Sequence, residues 1–448
     1  MTLAPFGWMS IIRLGLVQTA LGAVIVLMTS TINRVMVVEL ALPALVPGLL
    51  VASHYAVQIL RPAWGYGSDV GGRRTPWIVG GMAALALGGV GAALGTAVAA
   101  TSNLFGLTLA AASFVLIGVG AGSAGTSVLA MLATHVEPRR RAAAASAVWM
   151  MMILGFAISA PVAGHFLNPF SNSRLIMVTA IVSGTAFLAA TLATWGLEAR
   201  TGAASPARVA LSAKGHFLEV LGEVWREPAA RRFTIFVFVS MLAYGAQELL
   251  VEPFAGLVFG MTPGSTTKLA GLQHGGVLTG MLAVAIAASA VGGPVLGSLR
   301  LWTVGGCVAT ALSLAGVASS GFVSDPSLFR AAVFALGVSN GAFAVAAIGS
   351  MMALAGTSAA TSREGTRMGL WGAAQAIAFG LGGVAATLFV DVGRELAATP
   401  LAAYNIVFAL EAALFLVGAV LACSTTQRRP YRDMDPIMSA SDALSARP

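Results

Sequence analysis

Ionisable side chains are scarce in this sequence, and those that interrupt its apolar runs are its candidates for chemistry. The stretch STINRVMVVELALPALVPG, residues 30–48, holds Asn33, Arg34 and Glu39, and QELLVE at 247–252 holds Gln247, Glu248 and Glu252. His54, His165 and His274 lie within or near other apolar runs. A guanidinium and carboxylates in such a setting can pair, hold protons or grip the polar edge of a ligand, and a neutral imidazole can ligate a metal.

The rest of the chain says where these residues sit. Of 448 residues, 57% are hydrophobic and only 9% charged, and mean hydropathy is +0.87; soluble domains carry roughly 25% charged residues. Such a chain is a polytopic membrane protein. Twelve segments reach the ~20 apolar residues that a bilayer core requires: 14–41, 45–66, 76–99, 104–134, 143–167, 174–197, 232–260, 269–298, 302–322, 328–356, 367–391 and 399–423. A charge at mid-bilayer costs about 2.5–3.5 kcal/mol on insertion scales, so buried charges are expected to face the bundle interior and to be paired. Cys307 and Cys423 both fall inside apolar runs and imply neither a disulfide framework nor a metal site. The N-terminus leads directly into a long apolar segment, so no cleavable signal is expected.

Basic residues set the orientation. With a cytoplasmic N-terminus, 19 Lys and Arg flank the spans on that side, and only Arg174, Lys268, Arg330 and Arg394 lie on the other. The positive-inside rule therefore puts both termini in the cytoplasm. The same scatter over many loops removes nucleic acid as a reason for the +8 net charge. The segment 198–231 divides a six-span half (1–197) from a second (232–423), and 424–448 forms a cytoplasmic tail. In the linker, Phe217, Leu218, Leu221, Val224 and Trp225 repeat at helical spacing, which predicts an amphipathic helix on the membrane surface.

The halves echo each other in order. WIVGG at 77–81 returns as WTVGG at 302–306, GVGAG at 118–122 as GVSNG at 337–341, and RAAAASAVW at 141–149 as REGTRMGLW at 363–371. NRVMVVE at 33–39 matches QELLVE at a shorter offset, and the difference is assigned to GMTPGSTTK in the 7–8 loop. Two six-helix halves in parallel repeat are the architecture of the major facilitator superfamily. GYGSDVGGRR resembles that superfamily's cytoplasmic gating motif at Gly65, Asp69, Gly72, Arg73 and Arg74, where Asp69 can cap the next helix or pair with arginines. The expected fold is an all-α membrane protein of that superfamily, with 12 transmembrane helices in two pseudo-symmetric six-helix bundles.

Arg34 and Glu39 stand five residues apart, roughly 140° around an α-helix, which is too far to pair well. The repeat puts Glu248 where the first half has Arg34, predicting an Arg34–Glu248 ion pair across the two halves. Glu39 and Glu252 then lie toward the non-cytoplasmic end. Asn33, His54 and Gln247 complete the predicted polar network, with His54 folded back opposite residues 32–34. Arg61 reads as an anchor near the cytoplasmic face, and Glu411 in the last span has no assigned role.

TINRVMVVELALPA, YGAQELLVEPFAGLVFGMTPGSTTKLAG and NGAFAVAAIGSMM resemble the PucC/LhaA family, also called the bacteriochlorophyll delivery family, a branch of the superfamily found in phototrophic bacteria. The likeness covers most of the chain. The 2–3 loop, SDVGGRRTP, is shorter than in PucC or LhaA proper and points to the related branch encoded beside late bacteriochlorophyll synthesis genes. The resemblance implies an inner-membrane assembly factor that binds or delivers bacteriochlorophyll, or a late precursor, for light-harvesting and photosynthetic complexes. Its implied partners are bacteriochlorophyll synthase and antenna or reaction-centre subunits. Bacteriochlorophyll is then the expected bound ligand, and His54, His165 and His274 are candidates for the axial ligand of its magnesium. The alternative is a proton-coupled secondary transporter of a small molecule working through Glu39, Glu248 or Glu252. No histidine pair at metal-ligand spacing, prenyltransferase acid motif or nucleotide loop occurs, so neither enzymatic activity nor a resident metal site is expected.

Overall fold

Inside lipid, a chain must satisfy its backbone N–H and C=O groups internally, which leaves helices for apolar runs of this length. The computed structural model describes residues 6–61, 64, 73–137, 140–198, 225–288, 293–356, 364–397 and 399–425 and contains no strand among them. Its helices are α1 (Trp8–Glu39), α2 (Leu45–Leu60), α3 (Thr75–Ala99), α4 (Asn103–His135), α5 (Arg141–Phe166), α6 (Asn172–Thr194), α7 (Pro228–Phe259), α8 (Pro263–Ala287), α9 (Leu299–Val323), α10 (Pro326–Gly356), α11 (Glu364–Leu396) and α12 (Pro400–Thr425). Eleven are long and apolar enough to cross a bilayer, and α2 is a shorter apolar helix.

The packing repeats with a shift of six helices. α1 packs on α5 and α6, as α7 does on α11 and α12; α3 packs on α4 and α6, as α9 does on α10 and α12; α2 packs on α4, as α8 does on α10. The halves meet along two seams, α2 with α11 and α5 with α8, which the same shift interchanges. The chain is thus a multi-pass, all-α membrane protein of two pseudo-symmetric six-helix halves. Helix direction alternates, so the starts of α1 and α7 share one end of the molecule (the terminal end), and the α1–α2 and α7–α8 turns share the other (the distal end).

Small residues bring the seams close. A Cβ on Gly164 of α5 would lie 2.5 Å from the Gly264 carbonyl oxygen of α8, and one on Gly48 of α2 would lie 2.3 Å from the Thr387 hydroxyl of α11. Lipid offers no hydrophobic drive between helices, so such approach is what van der Waals packing exploits. The distal ends are also tied. Asp391 of α11 accepts the backbone N–H groups of Ala44 and Leu45, both at 2.8 Å, and so caps α2. At the equivalent point of the other seam, the Thr262 hydroxyl before α8 donates to Asn168 Oδ1 after α5 at 3.0 Å.

One expectation changes. The 7–8 connection is only three residues, 260–262, with Gly260 in the left-handed region (φ 62°) ending α7 and Thr262 capping α8. STTK of the supposed loop is the first turn of α8, because Thr262 and Pro263 start that helix well before the hydropathic span at 269. Gly65, Asp69 and Gly72 of the gating motif and residues 199–224 of the linker lie outside the described residues. Of the motif, Arg73 is exposed, and the Arg74 side chain donates to the Ala130 carbonyl and the Thr134 hydroxyl, both at 2.5 Å. The N-terminus of α3 is held by Glu198, which accepts Arg74 N–H at 2.5 Å and Thr75 N–H at 3.1 Å.

Candidate functional site: the polar seam between the halves

The distal part of α1 is wound as π-helix over Leu27–Ile32 and Val35–Glu39. π-Helical hydrogen bonds run between residues five apart, so positions i and i+5 come to lie one above the other. The predicted Arg34–Glu248 pair is therefore replaced. Arg34, 3% exposed, forms its ion pair with Glu39 on the next turn of its own helix. The 140° separation holds for an α-helix, and the wider π winding closes it.

This segment binds the second half through side chains. Ser30 donates to the Glu252 carboxylate at 2.6 Å, Thr31 and Thr267 hydroxyls meet at 2.8 Å, and Asn33 Nδ2 donates to the Leu249 carbonyl at 2.8 Å. Arg34 also donates to the Met261 carbonyl at 2.6 Å, and its guanidinium lies where a Cβ on Gly256 would come within 3.1 Å. Asn33, Arg34, Glu39 and Glu252 are thus brought together near the distal end, where backbone carbonyls of α7 and of its C-terminal turn take part in the contact.

Glu248 sits one turn deeper, away from Arg34. The Tyr55 side chain of α2 is its neighbour, with Tyr244 beside it on α7. Tyr55, Tyr244, Glu248 and Phe379 are all half-buried. Phe379 of α11 lies between the phenols, 5.4 Å from Tyr55 and 5.5 Å from Tyr244 by ring centroids. The pseudo-symmetric seam carries Phe156 of α5 edge-on to His274 of α8 at 4.7 Å. Each seam therefore holds an aromatic pair where the halves meet.

The histidines separate. His274 is buried, and its Nδ1 donates to the Ala270 carbonyl at 2.9 Å, which leaves Nε2 as the nitrogen with the free lone pair. His54 is buried too, but its Nε2 lies 2.9 Å from the Gln58 amide. It does not face residues 32–34: α2 packs on α4 and α11, and the His54 backbone abuts Gly118 of α4. His165 is exposed in the last turn of α5. No group of three or more His, Cys, Asp or Glu with metal-binding spacing occurs among the described residues.

Gln247 leaves the predicted network. It is about 140° around α7 from Glu252 and shares a face with Ser240 and Phe254. Phe254 meets Tyr404 of α12, ring centroids 5.7 Å apart, and a Cβ on Gly418 would lie 3.6 Å from Ser240 Cβ. Seven residues from both contacts, in these antiparallel helices, Gln247 comes opposite Glu411. Both are buried, and neither the amide nor the carboxyl has a partner among the described residues. Reading the sequence missed Tyr55, Tyr244, Phe156, Phe379 and Asp391. Asp391 carried a usable signal, a lone acid closing an apolar run; the aromatics carried none, because span-embedded rings read as packing.

Two six-helix halves, with a polar contact between α1 and α7 and paired seams α2–α11 and α5–α8, define the major facilitator class of membrane protein. Solved structures agree on the fold: a D-xylose–proton symporter superposes with TM-score 0.69 at 13% identity, covering 94% of this chain and 98% of that one. The nucleoside transporter NupG gives 0.66 at 11%, covering 93% and 98%. Within that class the chain belongs to the PUCC protein family, whose sequence model matches residues 31–429. It is 50% identical over 433 residues to the "Bacteriochlorophyll synthase 44.5 kDa chain" of Rhodobacter capsulatus, covering 97% of this chain and 99% of the relative. Protein PucC of the same organism is 30% identical, covering 93% and 92%.

Proposed function

We propose that this protein is a non-enzymatic carrier that holds bacteriochlorophyll, or a late precursor, between its two halves and hands it to photosynthetic complexes under assembly. It works in the inner membrane of a phototrophic bacterium with both termini in the cytoplasm, as the asymmetry of basic residues requires. Its partners are bacteriochlorophyll synthase or antenna and reaction-centre subunits. The relative named for that synthase, matched end to end, supports the pigment assignment; this chain's likeness in fold to solved transporters supports a carrier rather than a synthase.

The observation that carries the reading is His274. Its tautomer is set by the Ala270 carbonyl, its Nε2 is left free, and its ring stands on a seam beside Phe156. A flat magnesium macrocycle needs aromatic surface and one axial donor, and magnesium in a fixed ring accepts an imidazole. His54, engaged by Gln58, fits this role less well, and exposed His165 lies outside the seam. Tyr55, Tyr244, Phe379 and Glu248 belong to the other seam, α2–α11, and would offer aromatic surface and an acceptor to cargo held there.

The test is colour. Purified from a phototrophic host, the protein should show near-infrared absorption at stoichiometric pigment, and His274→Leu should shift or abolish the band. A colourless protein that catalyses proton-coupled uptake in vesicles would overturn the proposal. It would favour the second reading, a proton-coupled transporter, to which the seam carboxyls Glu248 and Glu252 are suited.

A further inference from the structure

Arg61 ends α2, where membrane anchors are common. Its position on the helix points to a further role. Leu49, Ala56, Ile59 and Leu60 mark the exposed, lipid-facing side of α2. His54, Gln58 and Arg61, spaced i, i+4 and i+7, share the opposite side, where His54 and Gln58 are buried. Arg61 is nevertheless exposed. A side chain on the side of α2 that meets α4 and α11, and still accessible, opens toward the terminal end of that seam.

The guanidinium also has no ion-pair partner among the described residues. It donates to Gln58 Oε1, and Gln58 in turn meets His54 Nε2, so the arginine is held from behind by a neutral ladder. The ion pair recorded among the described residues is Arg34–Glu39, not one to Arg61. Tyr55, on α2 between Gln58 and the distal end, lies against Glu248 of α7. Among the described residues, the wall thus carries a cation outside any ion pair near the terminal end, a phenol further along and a carboxyl deeper in. An arginine with accessible N–H groups and no counter-ion among the described residues is suited to an oxyanion.

We propose that Arg61 is the anchor for a carboxylate or phosphate on the cargo, so that the chain selects a cargo bearing a free acid over its neutral ester. For a tetrapyrrole this means the macrocycle with its propionate unesterified, the acid toward the terminal end and the opposite edge toward Glu248. This rests on the carrier reading above, and the test separates the two.

Full-length protein in nanodiscs is titrated with a magnesium tetrapyrrole free acid and with its methyl ester, using absorbance and quenching. A second arm uses a pyrene-labelled fatty acid and its methyl ester, probing the oxyanion site without any macrocycle. Wild type should bind each acid about ten- to hundredfold more tightly than its ester, the range expected for charge-assisted hydrogen bonds. Arg61→Gln should erase that preference without weakening ester binding, and Arg61→Lys should keep part of it. Both variants should elute as wild type on size exclusion. Inorganic phosphate should compete with the acids if phosphate is the natural group. Equal binding of acid and ester in both arms, or an acid preference that survives Arg61→Gln, overturns the proposal and leaves the carrier reading standing. Failure of both tetrapyrroles with an Arg61-dependent preference in the fatty-acid arm overturns the carrier reading and keeps the anion site.

Discussion

The pairing of Arg34 with Glu39 rests on the π-helical winding of α1 and can be measured directly. In a double-mutant cycle, Arg34→Met, Glu39→Gln and the double variant are unfolded by SDS titration in mixed micelles, with helicity followed by circular dichroism. Arg34 is 3% exposed and Glu39 37% exposed. Breaking a fully buried ion pair costs about 3–5 kcal/mol, whereas exposed pairs contribute about 0.2–1 kcal/mol. With one partner buried and the other over a third open, the coupling should be about 1–3 kcal/mol. The parallel cycle with Glu248→Gln should be additive within about 0.5 kcal/mol, because Glu248 turns to Tyr55. Coupling of Arg34 to Glu248 that exceeds its coupling to Glu39 would refute the π-helical pairing and restore the symmetric pair.

Two further outcomes test the packing. Gly164→Ala sets a Cβ against the Gly264 carbonyl, backbone against backbone, and should cost about 1–3 kcal/mol by the same titration; Gly80→Ala, with nothing within 4 Å, should stay within about 0.5 kcal/mol. Replacing Glu411 and Gln247 together by Leu removes two buried polar groups that lack partners, and melting should show the double variant as stable as wild type or more so, by about 0–2 kcal/mol. A drop in melting temperature for that double variant would mean the pair has a structural partner.

Much of the architecture is legible without coordinates, because the bilayer is a severe solvent. It forces every span to be helical and apolar, so hydropathy, charge asymmetry and the ordered repeat suffice for a twelve-helix, two-half protein. The same solvent makes Arg34, Glu39, Glu248 and Glu252 conspicuous, since a charge among apolar neighbours must have a reason to be there. Which groups they meet depends on angles and register. A change from α to π winding over the distal turns of α1 exchanges one acid for another as the partner of Arg34. A rotation of 100° per residue turns Gln247 away from Glu248 and toward Glu411.

The aromatic pairs depend on which helices form the seams, and no local signal separates a ring at a seam from a ring in a core. Arg61 shows the same division most plainly. Composition identifies a cation at the end of an apolar span, where anchors are common, and only the packing of α2 on α4 and α11 decides that it faces inward. Sequence alone determines which residues are too polar for lipid, because that is a property of each side chain. The tertiary structure decides what each one faces, because direction arises only when helices are wound and packed.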